Sequence, residues 1–467
     1  MEILTHLTST IVEYLNYVLI VVLLISGIYF TLCTKFLPLR CFKDQIKAIT
    51  DKPDNEKGVS SFQALMVSTA SRVGTGNIVG VAVAICLGGY GSVFWMWFIA
   101  LFGMASAFAE STLAQIFKKK GANGFYGGPS YYIEGALKNR TLAIIFSVLI
   151  IITYGVGFNM LASFNLQDTF RTYNFYNPAV TPWIIGLISA LAVGYCLFGG
   201  GKRILKVTSL LVPVMGVVYV LVALIVIAIN IKAIPYIFTR IFTEAFDFKA
   251  IFGGFTGSCL VFGIKRGLFS NEAGVGSAPN ASASAEVSHP VKQGFVQMFS
   301  VFLDTIIICS ATAFLCLCSG IEPTSDISGA PYVQLAIQSV LGKFGPVFIT
   351  IAMILFAFTT LLGNLFYVDK AIFHILKKEP SKKVQYLIYI IASLLIFVGA
   401  GLSADLLWNI ADITMGAMAL INIPVILILS KYVFRTLKDF EKQKKENKNP
   451  EFSAKNIDLP YETDCWK

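Results

Sequence analysis

Eleven stretches of about 20 mostly apolar residues recur along this chain, each long enough to cross the hydrocarbon core of a bilayer as a helix. They lie near residues 11–33, 60–87, 92–117, 141–163, 180–199, 204–229, 250–277, 292–319, 346–367, 385–402 and 407–430. Lipid offers no partner to a backbone N–H or C=O, so such runs must close their hydrogen bonds within the segment. Composition agrees: 56% of the residues are hydrophobic and only 14% are charged, against roughly a quarter in soluble proteins. The expected fold class is an all-α integral membrane protein with eleven transmembrane helices. The first run has no basic start and no small-residue cleavage site after it, which reads as a retained helix rather than a signal peptide.

The net charge of +10 does not indicate a nucleic-acid binder, because Lys and Arg gather in short loops and in the segment 431–467, with no basic stripe interleaved with aromatics. With eleven spans, the segments 34–59, 118–140, 200–206, 278–292, 368–384 and 431–467 share one side and hold 29 of the 37 basic residues. The other side holds five, Arg171, Lys232, Arg240, Lys249 and Lys343, while Arg72, Lys265 and Arg266 fall inside spans. Cytoplasmic loops carry the basic excess. The expectation is therefore a multi-pass protein of the plasma (inner) membrane with its N-terminus outside and its C-terminus in the cytoplasm. The stretch KDFEKQKKENKN (438–449) has no apolar residue but Phe440 and reads as a solvated, mobile tail. The nine cysteines lie mostly in apolar runs, Cys309, Cys316 and Cys318 among them, and read as small core residues.

Two spans are interrupted. The second contains SRVGTGN and the seventh contains KRGLFSNEAGVGS. Spans two to six and seven to eleven form two five-helix blocks of opposite topology, and the interruption falls in the first helix of each. This predicts a division into 1–59 (peripheral first helix and loop), 60–229 (first repeat), 230–430 (inverted second repeat) and 431–467 (tail). Broken helices at matching positions of inverted halves point to a transporter site. Gly74 and Gly76 flank Thr75 and let the backbone leave the helix at low steric cost. Unwinding frees N–H groups, which suit a carboxylate, and carbonyls, which suit a bare cation. A zwitterionic amino acid accompanied by Na⁺ fits both. GTGNIVG is not a dinucleotide loop, since its glycines at 74, 76 and 80 miss the G-x-G-x-x-G spacing. The small residues Gly76, Gly80, Ala84 and Gly88, four apart, read as a close-packing helix face.

The stretch SRVGTGNIVGVAVAICLGGYGSVFWMWFIALFGMASAFAESTLAQ, with GGPSYYIEGAL after it, closely resembles the alanine/glycine:cation symporter family. RGLFSNEAGVGSAPNASA, VFLDTIIICSATAF and FAFTTLLGN match later blocks of that family, and the likeness runs over roughly 60–420. It implies a leucine-transporter-type fold with an extra peripheral N-terminal helix, and Na⁺-driven uptake of small neutral amino acids such as alanine or glycine. It also implies a sodium site with carbonyls from Ala70 and Val73 and ligands from Phe356, Thr359 and Thr360, whose i, i+3, i+4 spacing shares one helix face. Thr75, Gly76 and Asn77 are then expected to meet the substrate carboxylate, and Phe269, Ser270 and Asn271 to line its amine and side-chain end. Asp304 is costly in mid-membrane. It reads as the ligand of a second cation or of the substrate amine, or as the partner of Arg72, and Glu272 as a similar group with a structural role. Glu110 and Asp369 are expected near the ends of their spans, in water. Where many relatives carry glutamine and tryptophan this chain has Ala162 and Asn364, which predicts a reshaped pocket and makes glutamine a candidate substrate.

The expected partners are a small neutral amino acid, Na⁺ and lipid. No nucleic acid, obligatory protein partner, transition metal or cofactor beyond Na⁺ is expected. An intramembrane enzyme using Glu272, Asp304 or His289 lacks a HExxH or GxSxG motif, and a channel would need a continuous polar stripe. A proton-coupled transporter is the remaining alternative.

Overall fold

Ten of the eleven apolar runs coincide with helix in the computed structural model, and the seventh does so only in part. The structure describes residues 2–51, 58–121, 124–254, 258–461 and 463–466; part of the 250–277 run, and the basic residues Lys52, Lys57 and Lys467, lie outside them. Among the described residues eight helices are long and apolar enough to span, and Ser61–Arg72 with Gly76–Gly88, bent by 51°, makes a ninth. Thr181–Leu197 is a shorter apolar helix.

The seventh run differs most from expectation. Its helix, Cys259–Asn271, is only 13 residues long, and the chain then runs without regular structure to the four-residue helix Pro279–Ser282. Ser258 caps its start by accepting from the Val261 N–H (3.4 Å). Glu272, at φ 52° in the left-handed region, ends it, and Gly274 (φ 82°) and Gly276 (φ 90°) continue the turn. The break thus begins at Glu272, and Phe269, Ser270 and Asn271 form the last turn of helix rather than the interruption.

The first break falls where the sequence places it, between Arg72 and Gly76. Ser60 starts Ser61–Arg72 with a reciprocal cap to Gln63 (3.1 and 3.0 Å). Neither Gly74 nor Gly76 has a positive φ, so these glycines serve close approach and not backbone freedom. A Cβ on Gly74 would collide with the Thr360 hydroxyl, and one on Gly76 would lie 2.9 Å from the Phe269 ring. Further along the same face, Gly88 packs against Phe262 and Cys259. The two broken helices meet along the expected small-residue face.

Helix Glu2–Cys33 lies at the edge, resting Leu15 and Leu19 on Gly416 and its own Gly27 on Phe102. Five of the six basic segments meet at one end of the molecule, joined by Lys444–Asp44 (2.5 Å), Lys292–Asp51 (2.7 Å), Lys119–Asp464 (2.7 Å) and Lys377–Glu134 (3.1 Å). Arg240, with Glu244 (2.8 Å) and Glu322 (3.0 Å), marks the opposite end.

The tail is not free. Ser430–Lys445 is a helix that buries Val433, Leu437 and Phe440, an apolar stripe whose first members precede the charged stretch 438–449. Beyond it the Phe452 N–H donates to the Ser288 carbonyl (2.9 Å), and the Trp466 indole donates to the Gln115 carbonyl (2.7 Å).

Candidate functional site between the two broken helices

Where the breaks face each other a small cavity remains, lined by Ser71, Arg72, Gly74, Thr75, Gly76, Phe158, Phe269, Glu272, Thr360 and Asn364. Its volume is about 20 Å³, close to what a single water requires. The side chains are closed over it.

Three short π-helical turns lie beside the cavity: Gly76–Gly80, whose Gly76 lines it, Ile151–Gly157 just before Phe158, and Phe302–Cys309, which carries Asp304. A π turn inserts one residue into the helical ladder and re-aims the side chains beside it.

Asn77 ties the parts together. Its Oδ1 accepts from the Gly74 N–H (2.8 Å), and its Nδ2 donates to Asp304 Oδ1 (2.7 Å) and approaches Cys309 Sγ (3.3 Å). Asp304 also accepts from the hydroxyls of Ser270 (2.8 Å) and Thr305 (2.8 Å). The first break, the last turn before the second break and the eighth span therefore share one fully buried network. Both ends of the Asn77 amide are committed within it, and Asn77 does not line the cavity.

The pairing of Asp304 with Arg72 is not realised. Arg72 donates through Nη1 to Gln297 Oε1 (3.2 Å) and to the Gln297 carbonyl (3.4 Å), while Nε and Nη2 have no hydrogen-bond partner. Among the described residues no salt bridge joins Arg72 to an acid, although burying an unpaired charge is costly.

Toward the tail end the cavity has a polar floor. Ser71 donates to Asn364 Oδ1 (2.6 Å) and to Glu272 Oε1 (3.2 Å), Ser277 donates to Glu272 Oε2 (2.5 Å), and Asn364 donates to Asn159 (2.9 Å). A left-handed non-glycine residue costs roughly 1 kcal/mol, and the two serine hydroxyls offset that by fixing Glu272. Toward the Arg240 end the roof is aromatic. Phe269 meets Phe158 edge-on (4.5 Å) and Trp408 (4.8 Å), and Arg266 covers Trp408 (4.0 Å). Behind the roof Asp412 pairs with Lys265 (2.7 Å) and Arg266 (3.2 Å).

The sodium:alanine symporter family model matches residues 1–454. The chain belongs to that family. It is 43% identical over 456 residues to the amino-acid carrier protein AlsT of Bacillus subtilis (strain 168), covering 97% of this chain and 95% of AlsT. It is 42% identical over 468 residues to the probable sodium/glutamine symporter GlnT of the same organism, covering 100% of this chain and 96% of GlnT. Among solved structures, MhsT in complex with L-phenylalanine superposes with a TM-score of 0.56 at 14% identity, covering 87% of this chain and 96% of MhsT. That likeness carries the fold, which is of the leucine-transporter type. The chain is a multi-pass sodium:amino-acid symporter and not an enzyme, with Na⁺ as its coupling ion.

In this symporter the threonines expected at the sodium site differ in their freedom. The Thr359 hydroxyl donates back to the Leu355 (3.0 Å) and Phe356 (3.2 Å) carbonyls and lies 3.6 Å from the Met215 sulfur. The Thr360 hydroxyl is buried without a hydrogen-bond partner and faces Gly74 across the first break. Ala70 and Val73 are buried at that break, Phe356 is buried one turn before Thr360, and Gly363 brings its helix within van der Waals reach of Ala70 and Ser71.

Of the other expected residues, Thr75 accepts from Asn165 (3.1 Å). Asn271 turns its Oδ1 onto the Ala273 N–H (3.0 Å), and its Nδ2 is unpartnered. Ala162, one turn beyond Phe158, is buried but does not line the cavity. Ser71, Phe158 and Asn159 belong to the site and escaped the sequence reading, although buried polar residues in apolar runs were a usable signal. Glu110 is not wet as expected. It is fully buried and accepts from Asn422 (2.9 Å) and the Gly274 N–H (3.4 Å). Asp369 is half-exposed beside Lys370.

Proposed function

We propose that the symporter carries a small neutral amino acid together with Na⁺ through the cavity between the two breaks, from the Arg240 end to the tail end. The observation that carries this reading is the unpartnered Thr360 hydroxyl facing the unwound first break. A hard cation collects hydroxyl and carbonyl oxygens. In this reading Thr360 and Thr359 join the carbonyls of Ala70, Val73 and Phe356 around Na⁺.

The substrate carboxylate lies against the backbone of Thr75 and Gly76 at the start of the second half-helix. Its side chain meets Phe269 and Asn364. Asn77 and Asp304 act as positioning residues that hold both breaks, with Ser270 as their link. The cavity holds about one water, so any amino acid requires its walls to move apart, and alanine and glycine require the least. Glutamine is the larger candidate, supported by the polar wall of Asn364 and by the Asn159 amide nitrogen, which lacks a partner. The likeness to GlnT agrees with that candidate.

The excess of basic residues at the tail end supports a cytoplasmic tail in the plasma membrane. Reconstitution into proteoliposomes with an inward Na⁺ gradient, read by uptake of labelled alanine and of labelled glutamine, tests the reading. Uptake that survives replacement of Na⁺ by K⁺, or that neither amino acid drives, would overturn it.

A further inference from the structure

At the tail end, where helix Glu2–Cys33 finishes, the chain turns through two consecutive left-handed residues, Lys35 (φ 56°) and Phe36 (φ 54°). It then runs into the short helices Leu37–Arg40 and Phe42–Thr50. These lie beside the docked helix Ser430–Lys445, and between them is a cleft of about 570 Å³. Its floor is apolar, formed by Phe434, Leu437 and Phe440.

The cleft rim is cationic, and not all of its cations are used. Arg40 is held by Glu441 (2.6 Å) and by the Thr34 carbonyl (3.2 Å), and Lys444 is held by Asp44. Those two acids are neutralised by those two bases. Lys35, Lys438 and Lys445 line the same cleft, are exposed, and among the described residues make no ion pair. Three positive charges thus surround an apolar-floored space, and among the described residues none of the three is paired with an acid.

Where the cleft sits identifies the ligand. Phe36 is 50% exposed, Leu39 65% and Ile46 47%, an apolar fringe that belongs in the bilayer interface at the end of a membrane-crossing helix. A free anion in water has no use for that fringe or for the phenylalanine floor. We propose that the cleft binds the headgroup of an anionic phospholipid from the tail-side leaflet. Its phosphate sits among Lys35, Lys438 and Lys445, and its upper acyl carbons lie on the apolar fringe. Basic pockets beside membrane helices recognise such headgroups. Because the tail helix supplies two of the three lysines, the bound lipid also fastens the tail to the first helix.

The test is native mass spectrometry of the full chain released from micelles containing either phosphatidylglycerol or phosphatidylcholine. One retained phosphatidylglycerol is expected, with no retained phosphatidylcholine. The triple variant Lys35→Gln, Lys438→Gln, Lys445→Gln should lower phosphatidylglycerol affinity about a hundredfold, each basic residue near an anionic surface being worth about fivefold. The control Lys378→Gln, Lys382→Gln, Lys383→Gln removes the same charge elsewhere and should bind as the parent does. Equal retention of both lipids overturns the proposal, as does equal loss in the control. Displacement of the lipid by millimolar inorganic phosphate would make the cleft a free-anion site instead.

Discussion

The hydroxyl of Thr360 and the α-carbon of Gly74 face each other so closely that no side chain fits at position 74. One belongs to helix Phe344–Leu376 and the other to the unwound turn between Arg72 and Gly76, so the contact joins the two halves of the fold at the proposed sodium site. Thr360→Val keeps the shape and removes the oxygen. Losing one ligand to a buried cation costs about 1.5–3 kcal/mol by analogy with hydrogen bonds to charged groups, or roughly ten- to hundredfold in Na⁺ affinity. Linkage requires substrate affinity at fixed Na⁺ to fall too, with recovery at high Na⁺. Thr360→Ser keeps the oxygen and should be mild. Na⁺ titration of uptake checks this, and an unaltered Na⁺ dependence in Thr360→Val removes the site.

Gly74→Ala puts a methyl group onto the Thr360 hydroxyl. Transport should be lost while the protein still folds, because the strain is confined to one turn. Retention in the membrane with no Na⁺-dependent uptake is the expected pair of results. Adding Thr360→Ala makes room for the methyl and should restore folding margin in thermal unfolding without restoring Na⁺ affinity. A fully active Gly74→Ala protein would mean that the two helices separate at that point.

The spans, the two interruptions and the small-residue face between them are legible because each is a local pattern. Apolar length, glycine clusters and fourfold spacing need no tertiary information. The start of the second break was not, because Glu272 adopts a conformation that its own side chain does not favour. It is held there by Ser71, 201 residues away in sequence. Asn77 shows the same limit from the other side: its chemistry suits a carboxylate, but only the fold reveals that Gly74 and Asp304 have already taken its amide. The docking of the tail is hidden in the sequence because its apolar stripe begins before its charged stretch, and within 438–449 only Phe440 of that stripe is present.

Asn364 accepts from Ser71 and donates to Asn159 at the cavity wall. Asn364→Trp fills the space that a long side chain would occupy, so glutamine uptake should fall at least tenfold while alanine or glycine uptake persists. Ala162 does not touch the cavity, so Ala162→Gln alone should act weakly, through Phe158. Competition assays with alanine, glycine and glutamine separate the two. An unchanged substrate profile in Asn364→Trp, at normal expression, would take that wall out of the pocket.

Orientation is testable by labelling in intact cells. Asp326→Cys lies in an exposed loop toward the Arg240 end, and Ser381→Cys caps a helix toward the tail end. In a Cys33→Ser background, which removes the exposed native thiol, an impermeant maleimide should reach position 326 and not 381. Labelling of position 381 from outside would invert the proposed orientation.

The docked tail should respond to pH through His289. Its ring is buried; Nδ1 accepts from the Val291 N–H (3.3 Å), so the proton sits on Nε2, which donates to Asp439 (3.2 Å). Burial holds the imidazole below its ordinary value of 6.5, against the pull of Asp439. Burial pushes the Asp439 carboxyl up, and the hydrogen bond from His289 overrides it and leaves it low. The docked state therefore favours neutral His289, whereas the released ring takes up a proton below its ordinary value. Docking is fully present above about pH 6.5 and weakens as pH falls, since the detached form then binds more protons. Loss of the low-lying Asp439 charge at still lower pH acts in the same direction. Hydrogen exchange of residues 430–466 should be faster at about pH 5 than at about pH 7.5 after correction for intrinsic rates. His289→Gln keeps a donor for Asp439 and an acceptor for Val291 but cannot titrate, so it should flatten that difference. Equal protection of the parent tail at both pH values would mean that His289 does not hold it in place.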